Sequence, residues 1–145
     1  MWNLDNLSLK KTLEGHSDWV TSVLKFDANT FISCSSDKTI KIWDINSLNL
    51  VGTLQGHNDW VTSVWKLDDN TFVSSSRDNT IKVWDINSLS LIGTLKGHTM
   101  GIETSLKFNK NIIISGSMDS TIKIWSFSEF FEEALNFYIQ KNNKV

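Results

Sequence analysis

The segment SCSSDKTIKIWD, residues 33–44, decides the fold, because it returns as SSSRDNTIKVWD at residues 74–85 and as SGSMDSTIKIWS at residues 115–126. A Gly-His pair precedes each copy at a fixed distance, and successive copies are spaced by 41 residues. Repeats with a period of about 20–50 residues are typical of proteins in which each copy forms one structural unit. The sequence therefore predicts three tandem units, at residues 15–55, 56–96 and 97–127.

Each unit contains short segments rich in Val, Ile, Thr, Phe and Trp, separated by turns rich in Asn and Asp. In the first unit these segments are residues 20–26, 30–35, 39–45 and 50–54. Ile40 and Ile42 share one side of the third segment, and Lys41 and Trp43 share the other, which is the two-residue period of a β-strand. Four strands per unit predict an all-β fold.

With Gly-His at the start and Ser-x-x-x-Asp-x-Thr-Ile-Lys-Ile/Val-Trp-Asp at the end, the units resemble the WD-repeat family over residues 2–127. The resemblance implies β-propeller blades, here three four-stranded antiparallel WD-type blades within a domain at residues 1–127. In that family the sequence repeat is offset from the blade. The last blade should therefore lack its own outer strand, and residues 8–14 should form an outer strand that precedes the first unit.

Closure of such a ring is incomplete with three blades, since propellers typically have about four to eight. Apolar blade faces should then stay exposed. One hypothesis is a head-to-tail dimer with six blades, in which residues 9–13 of each chain pair with residues 121–125 of the other. The rival hypothesis is that the chain is a truncated fragment of a longer propeller, without independent function.

The C-terminal segment, residues 128–145, is predicted to form an amphipathic α-helix followed by a polar tail. It follows a capping-box pattern at residues 126–129, and its apolar residues recur at helical spacing. Glu129, Glu132 and Glu133 would be repelled by anionic lipid, so we expect this helix to dock on protein and expect no membrane binding.

A Ser, a His and an Asp occur in every unit, which are the residue types of acyl-transfer catalysis. A hydrolase using one such set is therefore an alternative, but an active site is built once, and this set recurs with a Trp in every copy. The WD-repeat resemblance implies that these side chains form a structural hydrogen-bond network within each blade. The network residues are His16, Ser33, Asp37, Trp43, His57, Ser74, Asp78, Trp84, His98, Ser115, Asp119 and Trp125.

Partner contacts in the resembled family involve the residue before the repeat Asp and the residues just after Gly-His. The candidate partner-binding residues are Ser17, Trp19, Ser36, Asn58, Trp60, Arg77, Met100 and Met118. Arg and Trp are enriched among residues that dominate binding energy, although Trp19 and Trp60 could instead pack between blades. Arg77 also resembles a position that holds phosphorylated peptides in F-box-associated WD proteins.

Charge and composition narrow the function further. The 14 basic and 16 acidic residues give a net charge of -2, which argues against nucleic-acid binding. One His per unit is too dispersed for a metal site, so we expect no metal and no cofactor. The lone Cys34 is expected to be a buried, inert thiol. Without a signal peptide or a long apolar run, a cytoplasmic or nuclear location is expected. The sequence predicts a non-catalytic scaffold for a protein or peptide partner.

Overall fold

The computed structural model describes residues 8–126, which form three antiparallel sheets. The first sheet contains, in spatial order, β1 (Val20–Lys25), β2 (Thr30–Ser35), β3 (Ile40–Asp44) and β4 (Asn49–Leu54). The second contains β5 (Val61–Lys66), β6 (Thr71–Ser76), β7 (Thr80–Asp85) and β8 (Ser90–Lys96). The third contains β9 (Ile102–Asn109), β10 (Ile112–Ser117) and β11 (Ile122–Ser126). The all-β prediction is confirmed, and within residues 8–126 the third sheet lacks an outer strand.

Aspartate side chains close the first hairpin of each four-stranded sheet. Asp27 Oδ1 accepts hydrogen bonds from the backbone N–H groups of Asn29 and Thr30, at 2.7 and 2.8 Å. Asp68 makes the same contacts with Asn70 and Thr71, both at 2.8 Å. Such bonds stabilise the turn and so align the two strands that it joins.

The turn between the second and third strands of each sheet contains one residue with left-handed backbone geometry. These residues are Lys38, Asn79 and Ser120, with φ angles of 70°, 69° and 65°. Each directly follows the repeat Asp, and the Asp37 carboxylate accepts a hydrogen bond from the backbone of Thr39 at 2.9 Å. The side-chain bond holds the strained turn in place and positions Asp37 beside the sheet.

Apolar side chains between the sheets form two buried clusters, so the sheets stack face to face like propeller blades. The cluster between the first and second sheets contains Phe26, Ile32, Cys34, Ile40, Ile42, Leu54, Val61, Val64, Phe72 and Trp84. The cluster between the second and third contains Trp65, Leu67, Val73, Ile81, Val83, Ile102 and Ile113. The second blade is therefore covered on both faces.

Two predictions about the ends of the chain have different outcomes. Residues 8–14, predicted as an outer strand, are irregular and mostly exposed in the single chain. A strand exists only when hydrogen-bonded to another strand, and the first blade already has four. The predicted helix at residues 128–145 lies outside the described residues. No helix within residues 8–126 is long and apolar enough to cross a membrane.

Candidate functional site

A chain of hydrogen bonds crosses the second blade through the side chains predicted as its network. Trp84 Nε1 donates to Ser74 Oγ at 2.8 Å, and Ser74 Oγ lies 2.8 Å from His57 Nε2. His57 Nδ1 lies 2.7 Å from Asp78 Oδ2. Since the indole can only donate, the Ser74 hydroxyl accepts from Trp84 and donates to His57, whose Nδ1–H then donates to Asp78. Every polar atom of the chain is thus satisfied.

The same arrangement recurs in the other two blades. The Trp–Ser, Ser–His and His–Asp distances are each 2.8 Å in the first blade, for Trp43, Ser33, His16 and Asp37. In the third blade they are 2.8, 2.8 and 2.7 Å, for Trp125, Ser115, His98 and Asp119. The structure therefore brings together all twelve side chains that the sequence grouped by repeat.

Electrostatics fix the charge state of this network. Burial alone would raise the pKa of Asp78, but hydrogen bonds from His57 and Thr80 hold it well below its ordinary value. Burial lowers the pKa of His57, although the neighbouring carboxylate partly offsets this. The second blade therefore holds a neutral imidazole against a charged carboxylate near neutral pH.

Acidification is expected to destabilise the fold in two stages. Because the pKa of His57 is lower in the folded chain than its ordinary 6.5, its contribution is present above pH 6.5 and is lost as the pH falls below that value. The pKa values of Asp37 and Asp78 lie below the ordinary 3.8, so their contribution is lost only as the pH falls below 3.8. Urea denaturation across this range checks the order. A denaturation midpoint that rises on acidification would contradict it.

The geometry of each Ser, His and Asp set resembles that of a hydrolase triad, but the serine is already engaged. Its oxygen accepts the indole N–H, and Ser74 and Ser115 are buried between blades. The serine of the first-blade set borders an open groove, which is lined by Leu13, Glu14, Gly15, His16, Asp18, Val20, Val23, Phe31, Ser33 and Trp43. In the second blade the corresponding surface is covered by the preceding blade.

A second group of predicted residues forms a surface along one rim of the blades, called here the rim surface: Trp19, Trp60, Arg77, Met100 and Met118. Trp19 is 74% exposed, and its ring lies 6.1 Å from that of Trp60, with an angle of 54° between the two planes. The Arg77 guanidinium lies 4.4 Å from the centre of the Trp60 ring. Met100 and Met118 are about half exposed, at 48% and 50%. The side chains thus run across all three blades.

Backbone hydrogen bonds explain why these positions meet. The N–H of Arg77 donates to the carbonyl of Trp60, and the N–H of Met118 donates to the carbonyl of Gly101, both at 2.9 Å. The same bond joins Ser36 to Trp19 in the first blade. The residue before each repeat Asp is therefore held beside the start of its own first strand, whatever its side chain.

Arg77 is paired with a carboxylate that sequence reasoning did not connect to it. Its Nη2 donates to Glu103 Oε2 at 3.0 Å, and its Nε lies 2.8 Å from Oε1. A Cβ at Gly101 would meet the Arg77 backbone and side chain at 3.1 to 3.3 Å. Gly101 and Glu103 occupy positions held by Trp and Thr in the other units, so the third unit departs from the repeat where it accommodates Arg77.

The other candidate contact positions differ in accessibility. Ser17 and Asn58 are exposed, and their backbone N–H groups donate to Asp37 and Asp78. Ser36 is only 3% exposed, so its side chain presents almost no surface to a partner. Arg77 and Met118, with longer side chains at the same position, reach the surface.

Cys34 is buried, and burial raises the pKa of its thiol to about 11. Such a thiol stays protonated near neutral pH and is a poor nucleophile. Within residues 8–126 no group of three His, Cys, Asp or Glu side chains could hold a metal ion.

Stacked antiparallel blades with one repeated hydrogen-bond network define a β-propeller protein. Residues 7–44, 48–85 and 89–126 each match the family described as WD domain, G-beta repeat, and the chain belongs to this family. It is similar to the crystal structure of the WD40 beta propeller domain of Doa1, with a TM-score of 0.77 and 29% identity. That match covers 84% of this chain and 42% of that one, so this chain spans less than half the length of the solved structure. Comparison with curated proteins gives no match.

Proposed function

We propose that the chain is a non-catalytic scaffold that binds a protein or peptide partner through the rim surface. The observation that carries this proposal is Trp19, a large aromatic side chain that stays mostly in solvent while a second indole lies beside it. Exposed aromatic residues next to Arg and Met are typical of the centres of protein interfaces. WD propellers typically serve as interaction scaffolds, which agrees with this assignment.

The chemistry of the rim surface favours an apolar or aromatic ligand side chain over an anionic one. Glu103 neutralises Arg77, and the guanidinium stacks on Trp60. A phosphate group would have to displace that carboxylate and would then lie beside it. We therefore do not propose phosphopeptide binding for this chain. Trp19, Met100 and Met118 are instead the side chains that would contact an apolar or aromatic ligand.

Hydrolase activity is the alternative from another class, and the network geometry disfavours it. A serine nucleophile needs access to substrate, but in every blade the serine accepts an indole N–H, and Ser33, Ser74 and Ser115 are all buried. We propose that the twelve network residues stabilise the blades. The sequence also predicts that the chain uses no metal or cofactor and binds neither nucleic acid nor membrane. These statements, and a cytoplasmic location, stay predictions.

Replacing Trp19 with alanine is expected to weaken partner binding at least about tenfold, since truncating such an aromatic anchor typically costs 1–2 kcal/mol or more. Its side chain is largely exposed, so the unfolding midpoint should change little. Peptides selected from a random display library against the purified chain provide the probe, and their affinity is measured by calorimetry.

Leu91→Ala provides the matched control, because Leu91 is an exposed apolar residue on β8, away from the rim surface. It should leave peptide affinity unchanged. Selected peptides that bind Trp19→Ala as tightly as the unmodified chain would place the interaction surface elsewhere and overturn the proposal.

A further inference from the structure

Each blade has two packing faces. We call the face towards the next unit in the chain the forward face and the face towards the preceding unit the rear face. Between the first and second blades, the forward face contributes Leu24, Phe26, Ile32, Ile40 and Ile42, and the rear face contributes Val61, Val64, Phe72 and Trp84. Within residues 8–126, the forward face of the third blade and the rear face of the first have no neighbouring blade.

The uncovered forward face repeats five apolar residues of the covered one, while Gly116 stands where the covered face has Cys34. Shifted by two repeats, the five apolar residues above become Leu106, Phe108, Ile114, Ile122 and Ile124, with every residue type retained. The second blade, whose overall sequence is closer to that of the first, instead has Trp65, Leu67, Val73, Ile81 and Val83 at these positions. Ile122 and Ile124 are 75% and 70% exposed. The third unit therefore retains, on an open surface, the face that the first unit buries.

The uncovered rear face repeats the second blade in the same way. Val61, Val64, Phe72 and Trp84 correspond to Val20, Val23, Phe31 and Trp43. In the third blade the same positions are Ile102, Ser105, Ile113 and Trp125, and Ser105 is buried, where it accepts a hydrogen bond from Trp65. The chain thus contains two different interface types, and its two open faces are the two halves of the first type.

From this match we infer that the third blade of one chain docks on the first blade of a second copy, and the first blade of the same chain on the third blade of that copy, forming a closed ring of six blades. Phe108 and Phe31 of the second copy would then repeat the edge-to-face contact of Phe26 with Phe72, whose ring centres lie 6.4 Å apart. Two copies give six blades, within the usual range of about four to eight, whereas three copies would give nine.

The segment before the first blade fits the free edge of the third in the same arrangement. Residues 8–13 correspond to β4, which pairs with β3 in the register Lys41 opposite Thr53. Lys41 Nζ donates to Thr53 Oγ1 at 2.9 Å, and Lys82 donates to Thr94 at 3.0 Å. The next pair in this series is Lys123 with Thr12, and only a second copy can bring these residues together in the ring. Residues 8–13 would then become a strand by pairing with β11 of that copy.

One contact of the internal interface is not reproduced in the closing one. Thr21 Oγ1 donates to the carbonyl of Val61 in the next blade, and Thr62 donates to that of Ile102 at 2.8 Å. The third unit has Glu103 here, which pairs with Arg77. The closing interface therefore relies on apolar packing and on strand pairing.

Light scattering on the full chain tests the ring and should give twice the mass of one chain. Ile124→Lys should convert this dimer to a monomer, because a charge would be buried without a partner, whereas in the single chain the site is exposed and the fold should persist. Leu91→Lys is the control, since Leu91 stays 40% exposed in a blade already covered on both faces. It should leave the dimer intact. A monomeric full chain, or a mass unaffected by Ile124→Lys, would overturn the inference.

Cross-linking tests the register separately. Chains carrying Thr12→Cys are mixed with chains carrying Lys123→Cys and treated with a short cysteine-directed cross-linker. A covalent dimer should form in this mixture and not when Lys110→Cys, on the turn between β9 and β10, replaces Lys123→Cys. Cys34 is buried and should not react. Equal cross-linking in both mixtures would overturn the register. A monomeric chain that still binds peptides through Trp19 would overturn the ring and leave the proposed function standing.

Discussion

Phe72→Ala is expected to lower the free energy of unfolding by about 3–5 kcal/mol, the range found for truncating a buried aromatic side chain. Phe72 is fully buried between the first two blades. Its ring stacks on Trp84 at 6.4 Å and makes an edge contact with Phe26. The neighbouring strands are held by their own hydrogen bonds and cannot close the space that the ring leaves.

A loss of that size is a large part of the roughly 5–15 kcal/mol that holds a typical domain together. Urea denaturation followed by tryptophan fluorescence measures it as a lower transition midpoint. Leu91→Ala, which removes an exposed apolar side chain, should shift the midpoint only slightly. If Phe72→Ala and Leu91→Ala shifted the urea midpoint equally, the cavity left by the Phe72 ring would have no free-energy cost, which would contradict this prediction.

Ser74→Ala is expected to have the second largest effect, a loss of about 2–5 kcal/mol, although it removes a single oxygen atom. Without the hydroxyl, Trp84 Nε1 and His57 Nε2 lose their shared partner in a buried site. Each buried polar atom left without a partner costs about 1–3 kcal/mol. Chemical denaturation at neutral pH measures the loss.

Ser17→Ala is the matched control, because Ser17 is exposed and its contact with the network comes from its backbone N–H, which the substitution keeps. Its unfolding midpoint should match that of the unmodified chain. If Ser74→Ala were as stable as Ser17→Ala, the hydrogen-bond network would contribute nothing measurable to the blade, and its structural assignment would be wrong.

The repeat made much of the fold predictable, because one strand pattern seen three times constrains each copy. The strands of the first blade lie within a residue or two of the predicted segments. The network was also predictable, but through the WD-repeat resemblance, which rests on residues such as Ser33, His16 and Asp37 recurring at fixed intervals in each unit. A hydrogen-bond set that is local to one blade needs no knowledge of how the blades stack.

Contacts between blades were less accessible to sequence reasoning. The pairing of Arg77 with Glu103 joins two different repeats and depends on the space above Gly101. Ser105 stands where the other units have valine, and it is buried and accepts a hydrogen bond from Trp65. In both cases an unusual residue in one repeat is explained only by an unusual residue in its neighbour.

The burial of Lys41 and Lys82 was not predicted from the sequence, for a related reason. Alternation along β3 and β7 places them beside Trp43 and Trp84, but does not show that blades would bury them. Their stems are covered, while Thr53 and Thr94 on the next strand accept their charged ends. Recognising the pattern requires the register between the third and fourth strands.

The accommodation of Arg77 by Gly101 and Glu103 limits how this protein can be re-engineered. Averaging repeats into a consensus is a common route to greater thermostability. At position 101 the average would restore tryptophan, whose Cβ alone would press against the Arg77 backbone at 3.1 Å. Changing residue 103 to threonine would also strand a guanidinium without its carboxylate. A consensus version should therefore change residues 77, 101 and 103 together, because Arg77 needs both the space above Gly101 and the carboxylate of Glu103.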